Sequence, residues 1–390
     1  MSVVIRFFIV SILLFLVSCT DEKKTIKSVN SGTSEDFEAL ITLKEATRLE
    51  IEIDEFTPFR TYNMQYVNAN DTAILIWENR PLNALEFYDM ASKKLVKRIR
   101  LEKSGPLGIE GDLRGFEYIS DDSIIVTNGR RYEFYLVNGK GASYKKYAVF
   151  PEDEEDISVP IVYDYRPLMV EYPYVYAVCK PDKDYNKPGW WDGDLLLKLN
   201  METEGYQYIL KGPEEYYDKV HGAFFSHHSM TKNDKEQIVI SYPIDSYLEV
   251  FDMEKKTREW HYAGSKYFHD IPDWTMPDSN EDERFYIESN SYREILYDPW
   301  RQLYYRFAYR KVDFYDHQNR RVNWDYKIPS IIILNQDFTK IGECDLPKNT
   351  YYTRNTFVSP EGLYISINHN ENKNADENKL SFQLFKPTYK

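Results

Sequence analysis

Cysteine is scarce in this sequence, with only three in 390 residues, and the shortage limits how the fold can be stabilised. Secreted domains that depend on disulfide bonds carry many more cysteines. Apart from Cys19, which lies behind an apolar segment near the start of the chain, only Cys179 and Cys344 remain. We therefore expect both to be core thiols that form no disulfide, and the fold to be stabilised by burial of apolar surface.

Basic residues are fewer than acidic residues in this chain. The chain has 49 Lys and Arg residues against 63 Asp and Glu residues, which gives a net charge of −14. Proteins that bind nucleic acids or anionic lipid surfaces neutralise phosphates with clustered lysine and arginine. The charge balance therefore argues against nucleic acid as a partner.

Recognisable catalytic and cofactor motifs are absent from the chain. It contains no G-x-S-x-G elbow, no phosphate-binding glycine loop and no H-E-x-x-H pair. Residues 182–186 space their oxygens like a calcium loop, but Lys187 stands at the glycine position and Gly193 at the position of the bidentate acid. No metal or cofactor is therefore predicted. An enzyme that uses an acid pair such as Asp192 with Asp270 remains an open alternative.

The apolar run near the start of the chain is too short to cross a membrane. Residues 7–17 are eleven apolar or small residues, whereas a membrane-spanning helix needs about twenty. They lead into Leu16-Val17-Ser18-Cys19, which resembles the processing site of bacterial lipoproteins. The resemblance implies a signal peptide over residues 1–18 that signal peptidase II removes. The alternative, an uncleaved anchor helix, is disfavoured by the polar residues that follow.

The same resemblance implies a location and a membrane anchor. Acyl chains such as palmitate on Cys19 would hold the mature protein to the outer membrane of a Gram-negative bacterium, on its periplasmic or its exposed side. Residues 19–36 contain almost no apolar side chains and predict a flexible tether. Residues 37–390 then form the folded domain, which contacts the membrane through the N-terminal lipid.

A repeated strand pattern organises the rest of the chain. Six short runs of β-branched and aromatic residues begin at residues 73, 123, 174, 237, 302 and 363. A spacing of about 50 to 65 residues, with about four strands in each repeat, is typical of a β-propeller. The 34 tyrosines suit half-buried sheet surfaces, and helical periodicity is missing almost everywhere. The sequence therefore predicts an all-β, six-bladed propeller.

The last repeat lacks one strand, and a spare strand lies near the start of the chain. The sixth repeat supplies three strands, of which the last covers residues 380–385. Residues 40–53 include a stretch in which apolar and charged residues alternate, as in a half-buried strand. We expect this N-terminal strand to pair into the last blade and close the ring, which removes two exposed sheet edges.

One segment carries a more specific resemblance. Tyr-Asp-Pro at residues 297–299 leads into Tyr-Tyr-Arg-Phe at residues 304–307. Together with the lipoprotein signal, the length and the six repeats, this segment resembles the TolB-like propeller lipoproteins of the family called domain of unknown function 4221. The resemblance covers nearly the whole mature chain and implies fold and location. The family brings no catalytic residues, so it implies no site residue.

Loop lengths assign the candidate site to one face of the propeller. The links between the first and second and between the third and fourth strands of a blade lie on one face, which we call the first face, and they are short. The second face carries the long segments 181–193, 265–290, 311–327 and 370–378. Long irregular loops usually have a function, although surface insertions are also tolerated. The candidate ligand-binding residues are Trp190, Trp191, Asp192, Tyr267, His269, Trp274 and Trp324.

Two interpretations of these aromatic residues remain open. Indole rings beside carboxylates can stack on sugar rings, or form a hot spot for a peptide or protein partner. Alternatively, they fold down and pack the loops themselves. The inner-strand residues Arg114, Arg293 and Arg354 present a similar choice, because they either bind an anion in the central channel or line a wet tunnel.

The sequence thus favours a membrane-anchored binding or scaffold module of the cell envelope. Its partner is predicted to be an envelope protein, a peptide or a glycan. The alternative is a glycan- or lactone-directed hydrolase or lyase with a site on the same face. Fold alone does not decide between a binding module and an enzyme.

Overall fold

The described part of the chain is a ring of six β-sheets. The computed structural model describes residues 26–27, 39–69, 71–128, 133–149, 157–268 and 281–390. The predicted signal peptide over residues 1–18, Cys19 and most of the predicted tether lie outside these residues. Within the described ranges, no helix is both long enough and apolar enough to cross a membrane.

Each sheet is one blade of a propeller, which confirms the all-β, six-bladed prediction. Strands β1 (Ile26–Lys27) and β2 (Ile41–Glu52) precede the first blade, and β1 pairs in parallel with the outer strand of blade 4. A short helix, α1 (Asp282–Glu288), precedes blade 5. The remaining strands are β3 (Met64–Ala69), β4 (Thr72–Asn79), β5 (Ala84–Asp89) and β6 (Lys94–Arg100) in blade 1; β7 (Leu113–Ser120), β8 (Ser123–Asn128), β9 (Glu133–Val137) and β10 (Ser143–Ala148) in blade 2; β11 (Ser158–Pro160), β12 (Met169–Glu171), β13 (Tyr174–Pro181), β14 (Asp194–Asn200) and β15 (Tyr206–Lys211) in blade 3; β16 (Ser229–Lys232), β17 (Gln237–Ser241), β18 (Tyr247–Asp252) and β19 (Thr257–Tyr262) in blade 4; β20 (Ser291–Asp298), β21 (Leu303–Arg310), β22 (Ile328–Leu334) and β23 (Lys340–Asp345) in blade 5; and β24 (Tyr352–Ser359), β25 (Gly362–Ser366) and β26 (Lys379–Tyr389) in blade 6.

The hydrophobic core is divided among the contacts between neighbouring blades. Successive side chains of a strand point to opposite faces of its sheet, so one strand serves two contacts. In β4, Leu75 and Trp77 pack towards blade 6, whereas Ile74 and Ile76 pack towards blade 2. The same pattern recurs around the described ring, where each pair of adjacent blades shares one apolar cluster. Each blade therefore depends on both of its neighbours.

The N-terminal strand β2 closes the ring, as the sequence predicts. It pairs antiparallel with β26, from Ile41 opposite Tyr389 to Glu52 opposite Lys379, and is the outer strand of blade 6. Ile51 of β2 is fully buried in the cluster shared by blades 6 and 1. The closing strand therefore contributes both hydrogen bonds and apolar packing to the joint.

The two cysteines of the folded region form no disulfide, as expected. Cys179 on β13 is fully buried in the cluster between blades 2 and 3. Cys344 on β23 is half-buried, and its Sγ accepts a hydrogen bond from the backbone N–H of Leu43 at 3.1 Å. Cys344 thus lies at the junction between blade 5 and the closing strand.

Loop lengths differ between the two faces as the repeat pattern predicts. First-face hairpins are short, such as residues 121–122 and 253–256. The second face carries longer links, which include residues 101–112, 182–193 and 311–327. The inner strands β7, β20 and β24 all begin at the second face, so the residues at their starts surround the opening of the channel there.

The inner strand of blade 3 departs from the regular pattern. Strands β11 and β12 both pair with β13, but residues 161–168 between them leave the sheet, and a tight turn brings Tyr163 opposite Arg166. The buried guanidinium of Arg166 donates hydrogen bonds of 2.8 Å to the carbonyls of Ser226 and His228. We call residues 161–168 the blade-3 insertion. These bonds fix it beside the central channel.

The role of β2 in closure can be tested by shortening one buried side chain. We expect Ile51→Ala to lower the free energy of unfolding by about 3 kcal/mol, because it leaves a cavity in the joint between blades 6 and 1. The matched control Glu52→Ala, at the adjacent exposed position, changes it by less than about 0.5 kcal/mol. Denaturant unfolding followed by tryptophan fluorescence measures both. Equal effects of the two substitutions would contradict this account of the closure.

Candidate functional site

Charged side chains from three blades meet at the second-face opening of the channel. Arg293 and Arg354 lie near the starts of β20 and β24, the inner strands of blades 5 and 6. The blade-3 insertion supplies Asp164, and a short 3-10 turn in the loop between β21 and β22 supplies Trp324 and Asp325. The residues that we call the central site are Asp164, Arg293, Glu294, Trp324, Asp325 and Arg354.

Aromatic rings fix the two arginines of the central site. The guanidinium carbon of Arg354 lies 4.0 Å from the centre of the Trp324 ring system, and that of Arg293 lies 5.0 Å from it. Arg293 also lies 4.6 Å from the ring centre of Tyr165. Cation–π contacts of this kind hold a guanidinium in place while its N–H groups remain available as donors. Trp324 therefore positions arginines.

Several buried polar atoms of the central site have no hydrogen-bond partner among the described residues. They are Nε and Nη2 of Arg293, Nε of Arg354, Oδ2 of Asp164, Oε1 of Glu294 and Oδ1 of Asp325. The Arg293 side chain is only 4% exposed, and its Nε forms an ion pair of 3.4 Å with Glu294. An unsatisfied buried polar group costs about 1–3 kcal/mol. Arg293 Nε and Glu294 Oε1 therefore face each other. The donors and acceptors left for a polar ligand are Arg293 Nη2, Arg354 Nε, Asp164 Oδ2 and Asp325 Oδ1.

Burial and neighbouring charges shift the pKa values of three groups at the site. Burial raises the pKa of Asp164 to about 8, although the nearby Arg354 acts in the opposite direction. Burial also raises the pKa of Asp325, again against the effect of Arg354. Burial and the surrounding arginines hold the pKa of His227 well below its usual value. The raised pKa favours the neutral form of Asp164, so this carboxyl offsets less of the charge of Arg293 and Arg354 than an ordinary aspartate would.

Among the predicted ligand-binding residues, Trp324 belongs to the central site. Trp190 and Trp191 are only 3% and 2% exposed, and both lie in the apolar cluster between blades 3 and 4. The Trp191 ring packs edge-on against Tyr216 and Tyr242, with ring centres 5.6 Å apart in each pair. The interpretation that these rings pack their own loop therefore describes Trp190 and Trp191, because a helical turn folds the loop onto the sheets.

Two other predicted residues lie at the protein surface beside charged side chains. Asp192 pairs with Lys211 at 3.3 Å. The Tyr267 hydroxyl donates to Asp345, and the guanidinium carbon of Arg310 lies 4.0 Å from the Tyr267 ring centre. Three further predicted residues lie outside the described part of the chain: His269, Asp270 and Trp274.

The sequence predicts the arginines of the central site and misses its acids. Arg293 and Arg354 are predicted channel residues because they begin inner strands, and both lie at the opening. Arg114, predicted with them, lines cavities on the same face. Asp164 was missed because nothing in the strand pattern marks the break in the inner strand of blade 3. Asp325 was missed because it lies in a long loop without periodicity.

Metal binding finds no support in the described ranges, where no group of three or more His, Cys, Asp or Glu side chains is placed to hold an ion. In the segment that resembles a calcium loop, Asp184 Oδ1 accepts the backbone N–H of Asn186 at 3.0 Å. The other oxygen of Asp184 pairs with Lys187 at 3.4 Å. Its carboxylate therefore stabilises the turn itself.

The raised pKa of Asp164 predicts how stability depends on pH. An unfolded aspartate has a pKa of about 4, so the folded protein binds this proton more tightly and loses stability as the pH rises from about 4 to about 8. Asp164→Asn stays neutral throughout. We expect its stability relative to the wild type to increase by more than about 1 kcal/mol over this range. Denaturant unfolding at several pH values measures the difference, and parallel profiles would contradict the assignment.

Comparison with known proteins places this chain in a family. The model of the domain of unknown function DUF4221 matches residues 41–345. A crystal structure of a DUF4221 family member from Bacteroides vulgatus is 26% identical, with a TM-score of 0.79, and the alignment covers 90% of this chain and 100% of that one. A putative exported protein from Bacteroides fragilis is 10% identical and shares the fold alone, with a TM-score of 0.51 and coverage of 93% of this chain and 98% of that one. The comparison with curated proteins finds no significant match. Because the family model matches most of the chain, this propeller belongs to the DUF4221 family.

Proposed function

We propose that the protein is a lipoprotein of the cell envelope whose propeller acts as a binding module through its second face. The observation that carries the proposal is the central site, where fixed arginines and buried carboxyls present unsatisfied donors and acceptors at one opening. Structural ion pairs usually satisfy one another, whereas a site that receives a ligand keeps hydrogen-bonding capacity in reserve. The lipoprotein-like start of the chain supports the location.

The chemistry of the central site favours a polar, hydroxylated ligand over an apolar peptide. Arg293 and Arg354 donate to oxyanions or hydroxyl oxygens, and Asp325 accepts hydrogen bonds from hydroxyl groups. An apolar hot spot needs exposed aromatic anchors, but Trp190 and Trp191 are buried. An envelope glycan, or a peptide that presents a carboxylate, fits this combination of groups.

A second candidate function is enzymatic cleavage of a glycan or lactone at the same site, by a hydrolase or a lyase. The observation that favours it is the pKa of Asp164, which burial raises to about 8 beside Arg354. A carboxyl group that titrates near neutral pH can act as a general acid or base. Asp325, whose pKa burial also raises, supplies a second carboxyl at the opening.

A relationship to the TolB-like propellers is part of the same proposal. We infer that the propeller is related to the TolB-like propellers. The six blades and the closing N-terminal strand support this relationship.

The membrane anchor can be tested at the proposed lipidation residue. We expect Cys19→Ala to move the protein from the membrane fraction to the soluble fraction of the envelope, because without the thiol no acyl chain is attached. Fractionation and immunoblotting measure the distribution, and Cys179→Ala is the matched control. Retention of Cys19→Ala on the membrane would contradict lipidation at this residue.

The binding function can be tested by capture from solubilised envelopes with the tagged protein. We expect a co-purifying glycan or peptide, identified by mass spectrometry, to fall about tenfold in Arg354→Gln, because a charge-assisted contact is lost. The control Arg320→Gln changes an exposed arginine of a second-face loop and should leave capture unchanged. Circular dichroism confirms that both variants are folded.

The outcomes of the capture experiment separate the two candidates. Equal capture by Arg354→Gln and the wild type would place the binding surface away from the central site. Conversion of the captured glycan by the wild type, lost in Asp164→Asn, would favour the enzyme.

A further inference from the structure

A cavity opens on the second face beside the central site, between blades 2 and 3. Its volume is about 440 Å3, and we call it the side pocket. The ends of β4, β8 and β13, the starts of β7 and β11, and residues 161–163 of the blade-3 insertion surround it. Its polar lining includes Arg80, Arg114, Asn128, Tyr163, Lys180 and Asp182.

The blade-3 insertion separates the side pocket from the central site. Tyr163 lines the side pocket, whereas the next residue, Asp164, belongs to the central site. The Tyr163 ring stacks on Tyr165, with ring centres 5.5 Å apart and planes 9° from parallel. The blade-3 insertion therefore forms a wall that has the side pocket on one side and the central site on the other.

Arg80 is held rigidly at the mouth of the side pocket. Its Nε donates a hydrogen bond of 3.0 Å to Glu78, and its guanidinium carbon lies 4.0 Å from the ring centre of Tyr62. Its Nη2 is buried and has no hydrogen-bond partner in the described part of the chain. A guanidinium fixed on two sides loses little conformational freedom when its remaining edge binds an acceptor.

Two further cations complete the side pocket. The Arg114 side chain is exposed at the start of β7, and Lys180 Nζ lies 5.3 Å from the ring centre of Tyr185. The opposing charge in the lining is the exposed carboxylate of Asp182. A neighbouring cavity of about 450 Å3 shares Arg80 and Arg114, so these arginines stand between two openings. Glu78 and Asp112 also line that neighbouring cavity and offset part of the arginine charge there, whereas the side pocket itself is lined by three cations and one carboxylate.

We propose that the side pocket is an oxyanion-binding site, which takes a phosphate, sulfate or carboxylate group. Arg80 and Arg114 supply planar N–H groups that match the geometry of an oxyanion, and Lys180 adds a point charge. Strand ends from three blades hold these groups at fixed positions. This site is separate from the central site and does not depend on the function proposed for it.

Calorimetric titration of the full folded domain with inorganic phosphate, sodium sulfate and sodium glucuronate tests the proposal. Sodium chloride keeps the ionic strength constant, because exposed charges are screened by salt. We expect saturable binding of at least one probe, and an increase in Kd of about tenfold in Arg114→Gln and in Lys180→Gln. Lys94→Gln, at an exposed position of β6, should leave Kd within about twofold.

The titration distinguishes the side pocket from the central site. Absence of saturable binding for all three probes, or an unchanged Kd in Arg114→Gln, overturns the proposal. Binding weakened by Arg354→Gln alone also overturns it, because the anion then occupies the central site. Binding that Arg114→Gln weakens supports the proposal, and the probe that binds most tightly identifies the group that the pocket receives. Arg114 is exposed, so its substitution leaves the blade contacts intact, and circular dichroism verifies the fold.

Discussion

Six apolar clusters of the described residues each lie between two neighbouring blades, so the positions of the blades depend on closure of the ring. A blade without a neighbour on one side would expose a complete apolar sheet face to water. The β2–β26 ladder, with Ile51 packed beneath it, prevents this at the joint between blades 6 and 1. The strand ends that carry the central site and the side pocket have fixed positions because the ring fixes the blades.

Buried arginines in this structure are of two kinds, and their hydrogen bonds separate them. Arg306 is fully buried and donates to the Ser241 hydroxyl and to backbone carbonyls at the second-face side of blade 4. Arg293 is nearly as buried, yet its Nη2 has no hydrogen-bond partner in the described ranges and its Nε has only the 3.4 Å ion pair with Glu294. Arg306 is a structural residue, because its N–H donors have acceptors within the protein. Arg293 is a candidate for ligand binding, because it has a buried donor without an acceptor.

This distinction explains what the most specific sequence motif encodes. In residues 297–307, Asp298 Oδ1 accepts the backbone N–H groups of Trp300 and Arg301, and its Oδ2 accepts the Tyr305 hydroxyl at 3.0 Å. With Arg306, these residues hold the first hairpin of blade 5 and its contact with blade 4. The motif over residues 297–307, which resembles the family, therefore consists of residues that stabilise the fold.

The fold was predictable from the sequence to a larger extent than the site. Blades follow from alternating side chains and tight turns, which recur at regular spacing, and the unpaired strand over residues 40–53 had a place only in the last blade. The geometry of the central site depends on loops, and loop sequences have no repeating pattern from which their conformation could be predicted. Trp190 and Trp191 illustrate the difficulty, because an indole in a long loop has the same sequence signature whether it faces a ligand or packs on the sheets. Arg293 and Arg354 could be predicted as channel residues because the inner strands on which they lie follow from the repeat pattern.

Pairing of β2 with β26 also determines the order in which the molecule is completed. β2 is synthesised well before its partner β26, because blades 1 to 5 lie between the two strands in the chain. Contacts between such distant segments form slowly, because a long chain must be ordered before they are gained. Until then β2 presents an unpaired edge and an unburied Ile51, features that favour association between chains. Until β26 is available, the chain therefore carries an unpaired strand that the finished ring conceals.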